Sequence, residues 1–340
     1  MRKGIIAAGN WIIDYVKIID KLPDRNMLAN IKSEMRSIGG APHNVLVDLA
    51  KLQVSIPLAA AGVIGNDADG DYILDQLKQH QIDIAHMQKI SDKSTSYTDV
   101  MTEEDTGFRT FFHYRGANAL LDNTHFVGID TDHKIFHLGY LLLLDKLDAE
   151  DEQYGVVAAR VLDSLQQKGY KTSVDVVSEQ SDRFRRIVTP CLQYVDYLIV
   201  NEVEAGETTN LKIRKEDDSI DADNLVKAAQ ALLDGGVKEL VVIHFPEGGY
   251  AMNKKGARIF VPSFLVQQDE IVGTVGAGDA FCAGVLYGLH EEFPLEKTLT
   301  IANASARFNL THATTTGGAT SIQEVEEYIK NATQRADLQM

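Results

Sequence analysis

Two cysteines, Cys191 and Cys282, are all the chain has in 340 residues. That excludes a disulfide framework and a cysteine-based metal cluster. Long apolar runs are also missing; none approaches the roughly 18 residues of a membrane span. Basic residues are scarce, with a formal net charge of −16 and a pI near 5.0. A surface of that sign repels phosphate backbones and anionic lipid, so neither nucleic acid nor membrane is an expected partner. Met1-Arg2-Lys3-Gly4 runs into an apolar segment without a signal-peptide core, which makes a cytoplasmic location the expectation. There is no internal repeat and no Pro/Ser-rich linker.

What is present is a 44% hydrophobic composition, enough for a large core, in a βαβ rhythm. Ile5 to Gly9 and Leu58 to Ile64 read as strands covered on both faces. Tyr72–Gln79, Tyr154–Gln167, 223–233 and Leu295–Leu310 read as helices, Ile135–Leu144, 172–177, 197–200 and Leu240–His244 as further strands. Gly65-Asn66-Asp67-Ala68-Asp69-Gly70 lacks the Glu and the length of a calcium loop and reads as a turn and helix cap. Ser321 to Glu324 opens the last helix with a capping box. Between Ser96 and Tyr114 the rhythm breaks into two β-rich runs around Glu103-Glu104-Asp105-Thr106-Gly107, a hairpin turn by composition.

The most informative stretch is Gly273-Thr274-Val275-Gly276-Ala277-Gly278-Asp279. It leads into a Pro-free apolar helix from Ala280 to Leu289. Gly-Ala-Gly leaves the first-turn N–H groups unhindered, and those donors with the helix dipole form a site for an anion. Asp279 is there either as a cap or as a general base beside that anion hole. Upstream, Gly39-Gly40-Ala41-Pro42-His43-Asn44 is either a turn before an amphipathic helix or a backbone approach to a polar ligand, with Asn44 offering donors and an acceptor. Asp14, set among apolar residues, is a partnered structural group or a ligand group. Asn201-Glu202-Val203-Glu204, after a strand, is a helix cap or an amide and carboxylate able to hold hydrated Mg²⁺. Arg115 is a surface or paired arginine, or the partner of an acidic substrate.

Gly276-Ala277-Gly278-Asp279 and Gly39 to Asn44, in that spacing, resemble the two signatures of the ribokinase-like (PfkB) carbohydrate kinases, over about residues 4–330. The resemblance implies an α/β fold: a mostly parallel central sheet flanked by helices, in one kinase domain over 1–335, with a small β-sheet lid from about 14–38 and 96–115. It implies transfer of the γ-phosphoryl of ATP to a sugar hydroxyl, with Asp279 as base and Gly276, Ala277 and Gly278 as the anion hole. Asp14, Gly39, Gly40 and Asn44 would bind the sugar. Asn201, His244, Gly249, Thr274 and Asn303 would meet the nucleotide, and Glu204 the Mg²⁺. A homodimer through the lid is expected.

Three departures stand out. Pro246 replaces a loop glycine before the nucleotide. Gly273 stands where some relatives carry the Asp that supports a monovalent cation, which puts potassium activation in doubt. Val176-Val177 follows Asp175 where relatives have Pro and Asn, so that loop says little about the substrate. A neutral pentose or ketohexose is the first expectation, a nucleoside the second, and 2-keto-3-deoxygluconate a third if Arg115 points inward. A dinucleotide-dependent dehydrogenase is excluded because no Gly-x-Gly-x-x-Gly follows the first strand. An inactive sugar sensor is the remaining alternative from another class.

Overall fold

The computed structural model describes residues 2–179 and 181–338. From the N-terminus, β1 (Ile5–Gly9) leads into β2 (Ile12–Ile19), β3 (Ile31–Gly39) and α1 (Ala41–Lys51). Next come β4 (Leu58–Gly65), α2 (Ala68–Gln79), β5 (Asp83–Ile90), β6 (Ser96–Glu103) and β7 (Arg109–Tyr114). The middle holds β8 (Ile135–Leu141), a short hairpin of β9 (Glu150–Asp151) and β10 (Gly155–Val156), α3 (Val157–Gln167) and β11 (Lys171–Val176). It continues with α4 (Phe184–Cys191), β12 (Tyr197–Asn201), α5 (Glu202–Thr209) and α6 (Ala222–Asp234). The last third is β13 (Leu240–Phe245), β14 (Gly248–Asn253), β15 (Arg258–Pro262), α7 (Ala277–His290), α8 (Leu295–Leu310) and α9 (Ile322–Asn331).

The main sheet has the order β15-β14-β13-β12-β11-β8-β1-β4-β5. It is parallel from β13 to β5, and β14 and β15 close one edge antiparallel. Strand alternation feeds two cores. On β12, Leu198 and Val200 join the apolar cluster under α3 to α6, and Ile199 joins the one under α1, α7, α8 and α9. Each fully buried Leu, Ile, Val or Phe contributes about 1.5–3 kcal/mol. α7 is buried almost all round because it lies between this sheet and α8. The helices approach closely: a Cβ on Gly284 would come within 2.6 Å of Ala302 Cα, and one on Gly288 within 2.5 Å of Thr298 Oγ1. That packing sets where the N-terminus of α7 ends up.

A second sheet has the order β3-β2-β6-β7, with β2 and β6 parallel and the outer pairs antiparallel. It springs from the main sheet through Asn10-Trp11. The buried Trp11 donates its indole N–H to Ala61 O at 3.0 Å. Its backbone N–H and C=O are both taken by the Asn118 amide, each at 3.2 Å.

Several boundaries differ from the sequence reading. α2 begins at Ala68, four residues before Tyr72, because Asp67 caps it by accepting from Gly70 N at 2.9 Å. β8 stops at Leu141, where Asp148 takes the N–H groups of Leu142 and Leu144. The segment from His244 to Gly249 is a tight turn between antiparallel strands, with Pro246 and Glu247 at its tip, and no open loop.

Candidate active site

α7 starts at Gly276, whose φ of +84° is left-handed. A Cβ there would collide with Thr315 O, so glycine is required on two counts. The first N–H groups of a helix have no intrahelical acceptor. That of Ala277 bonds Thr274 O at 3.4 Å, which engages one of the three donors expected to form the anion hole. Asp279, 6% exposed, sits in this first turn. Its Oδ1 accepts from the Tyr140 hydroxyl at 2.6 Å and its Oδ2 from Asn44 Nδ2 at 2.7 Å. Burial raises its pKa to about 6 against the lowering effect of these two donors. The carboxyl is thus oriented from two sides and titrates near neutrality, the property a general base needs.

Asn44, in the first turn of α1, is committed inside the protein: its Oδ1 also accepts from Thr315 Oγ1 at 3.0 Å. Asp14 is the third residue of β2 in the small sheet. The register aligns it with Ser37, Thr98 and, one strand further, His113. Burial, opposed by a hydrogen bond from Thr98 and reinforced by the charge of Asp279, raises Asp14 to a pKa of about 7. Gly39 has to lack a side chain because a Cβ would collide with the Asp14 carboxylate; on Gly40 it would collide with Asn10 O.

Two cavities meet at the start of α7 and share Asn201, His244 and Gly278. One, of about 490 Å³, is lined by Phe264, Thr274, Ala277, Phe281 and Asn303 among others. The other, of about 400 Å³, is acidic, with Asp175, Glu204, Asp279 and Tyr140 in its wall. His244 stacks on Phe281 at 4.9 Å between ring centroids, and burial lowers its pKa to about 4, so the ring is neutral. Asn201 caps α5 through bonds from the N–H groups of Val203 and Glu204, both at 2.9 Å. Glu204 answers by accepting from Asn201 N at 2.9 Å, and also takes the Ser178 hydroxyl at 2.8 Å. Burial raises Glu204 to a pKa of about 7, and burial with the charges of Glu204 and Asp279 raises Asp175 well above the usual range.

Two expected contacts lie elsewhere, and a third is bonded to backbone. Gly249 is in β14, where a Cβ would come within 2.7 Å of Phe281; it lets α7 pack and is absent from both cavity walls. Arg115 turns away, bonding Leu142 O and pairing with Asp145, both at 3.3 Å. Asn303 spends its amide N–H groups on Val261 O and Pro262 O, although it does line the larger cavity. Conversely, Tyr140, Thr98, His113 and Asp175 belong to the site without having been assigned a role from sequence. Only Asp175 carried a signal, an acid inside an apolar strand; a Tyr ending a buried strand is ordinarily core.

The profile of the pfkB family carbohydrate kinases matches residues 3–322. A nucleoside kinase of Methanocaldococcus jannaschii is 24% identical over 89% of each chain. A ribokinase of Haemophilus influenzae is 24% identical over 98% of this chain and 100% of its own. The structure of Arabidopsis thaliana ribokinase complexed with ribose and ATP superposes with a TM-score of 0.79 at 20% identity, covering 97% of this chain and 99% of that one. With the family profile spanning nearly the whole sequence, the chain belongs to the pfkB family of carbohydrate kinases.

Proposed function

We infer that the protein transfers the γ-phosphoryl group of ATP to a hydroxyl of a neutral sugar, a pentose or ketohexose. The observation that carries this is Asp279: a buried carboxyl with a pKa of about 6, aimed by Tyr140 and Asn44, beside the first-turn N–H groups of α7. The acceptor hydroxyl displaces one of those two donors and gives its proton to Asp279. The N–H groups of α7 take up charge on the transferring phosphoryl. Asp14, with Thr98 and His113 in its row, orients the sugar, and Gly39 and Gly40 keep the approach open. The inward row is neutral apart from Asp14, and Arg115 is paired with Asp145, which argues against an acidic acceptor.

The larger cavity suits a nucleotide base, with Asn201, His244, Thr274 and Asn303 around it. The second cavity offers hard carboxylate oxygens, the donor class Mg²⁺ takes. Both Glu204 oxygens already accept hydrogen bonds, so Glu204 would hold the ion through water. Bound there, Mg²⁺ supplies neutralisation of phosphate charge. Within this single domain the small sheet acts as a lid that keeps water from the phosphoryl donor. Its exposed Ile31, Phe111 and Phe112 support pairing with a second copy. Sedimentation should report a dimer that Phe111→Glu converts to monomer; a monomeric wild type would remove that part of the reading.

The deciding experiment follows ADP release with Mg-ATP across ribose, fructose, adenosine, inosine and 2-keto-3-deoxygluconate. One neutral sugar should dominate, and Asp279→Asn should silence it. A nucleoside as best acceptor would replace the sugar assignment. Silence with every acceptor, while a sugar binds by calorimetry, would favour a sensor.

A further inference from the structure

We propose that His137, Asp175 and Cys282 form a separate binding site for one borderline-soft divalent ion of the Zn²⁺ class. The imidazole comes from β8, the carboxylate from β11 and the thiol from α7, and all three are buried. Their ligand atoms lie within 4.8 Å of one another. His137 Nδ1 is 3.1 Å from Ser173 Oγ, and this bond orients the ring so that Nε2 faces Cys282 Sγ at 4.0 Å. A metal-binding histidine is normally held in this way through its other nitrogen. At 4.0 Å the thiol and imidazole satisfy each other poorly, and Asp175 has its Oδ1 bonded only to the N–H of its neighbour Val176 at 2.7 Å.

One nitrogen, one sulfur and one oxygen are a donor set that zinc accepts and magnesium does not. Metal–ligand bonds of about 2.0–2.3 Å put tetrahedral donors about 3.3–3.8 Å apart, so the three groups need to close by about 1 Å. Asp175 also lines the acidic cavity, which gives the ion a way in and leaves a fourth position for water. The ring tautomer with its proton on Nδ1, toward Ser173 Oγ, offers Nε2 to the ion. Binding forms a thiolate–metal bond at Cys282 and releases the thiol proton to solvent.

The test uses the full chain, freed of metal with a chelator and titrated with Co²⁺. Saturation is expected at one ion per chain, with the intense visible bands of a tetrahedral site and a near-ultraviolet thiolate charge-transfer band that Zn²⁺ erases. Cys282→Ala should remove the charge-transfer band, Asp175→Asn should weaken binding at least tenfold, and Cys191→Ala should change neither. Should Cys282→Ala not fold, X-ray absorption on the Zn²⁺-loaded wild type decides, with one sulfur neighbour expected near about 2.3 Å. Absence of a thiolate band or sulfur neighbour in the wild type, or a band that survives in Cys282→Ala, overturns the proposal.

Discussion

The two sheets of this kinase treat polar groups in opposite ways. Around the main sheet, two acids near α7 are buried and bonded from several directions: Asp279 by Tyr140 and Asn44, Glu204 by Asn201 and Ser178. In the small sheet, β3 is exposed over most of its length, while Ile12, Ile13, Ser96, Thr98 and Val100 are buried. Rigid elements packed at close-helix distances are where charge transfer can be preorganised. An exposed sheet joined through Asn10-Trp11 is free to differ in what it presents to an acceptor. The division predicts that damage on the main-sheet side appears in turnover, and damage on the small-sheet side appears in acceptor affinity.

The largest effect should come from Asp279→Asn, which keeps the shape and removes the base: a loss in kcat of about 10²–10⁴-fold with the fold intact. Asp14→Asn should instead raise the acceptor KM by about ten- to a hundredfold, the worth of one or two charge-assisted hydrogen bonds, with a smaller change in kcat. If steady-state kinetics show the reverse split, the division between the sheets is wrong.

Tyr140→Phe sharpens the same comparison. It deletes one donor to the Asp279 carboxylate without touching the acceptor side. Losing a bond that favours the charged form raises the pKa of Asp279 from its value near 6. The acid limb of kcat/KM should therefore move to higher pH by about one unit, with about a fivefold loss at pH 6 that grows to about tenfold below pH 5. An acid limb that stays in place would show that the limb reports another group.

Legibility in the sequence followed the same division. The main-sheet elements announced themselves through continuous apolar strands and the Gly276 to Asp279 turn, because full burial leaves an unbroken apolar pattern. The β-rich breaks around 14–38 and 96–115 also marked the small sheet. What escaped was long-range pairing. Nothing local to Tyr140 or Thr98 says that one reaches Asp279 and the other Asp14, since sheet order brings them together. Gly249, which the family resemblance assigned to the nucleotide, instead makes room for Phe281. The substrate stayed open because the row through Asp14 is assembled from four strands.

The smallest expected effect concerns stability. Asp279, at about 6, and Asp14 and Glu204, at about 7, have folded pKa values above their ordinary 3.8 to 4.5. A carboxyl raised by folding stabilises the protein below its unfolded pKa, and that contribution is lost as pH rises through the folded value. Without ligands, the melting temperature should therefore fall between about pH 4.5 and 7, apart from other titrations. Asp122 and Asp151 act in the opposite direction: held at about 2, they stabilise above pH 3.8 and lose that effect only as pH drops toward 2. Asp279→Asn removes one of the raised groups, so the ligand-free variant should melt higher than wild type at pH 7.5 and about equally at pH 4.5. Calorimetry at the two pH values decides it: a difference that does not grow with pH would mean that Asp279 is not held at a raised pKa.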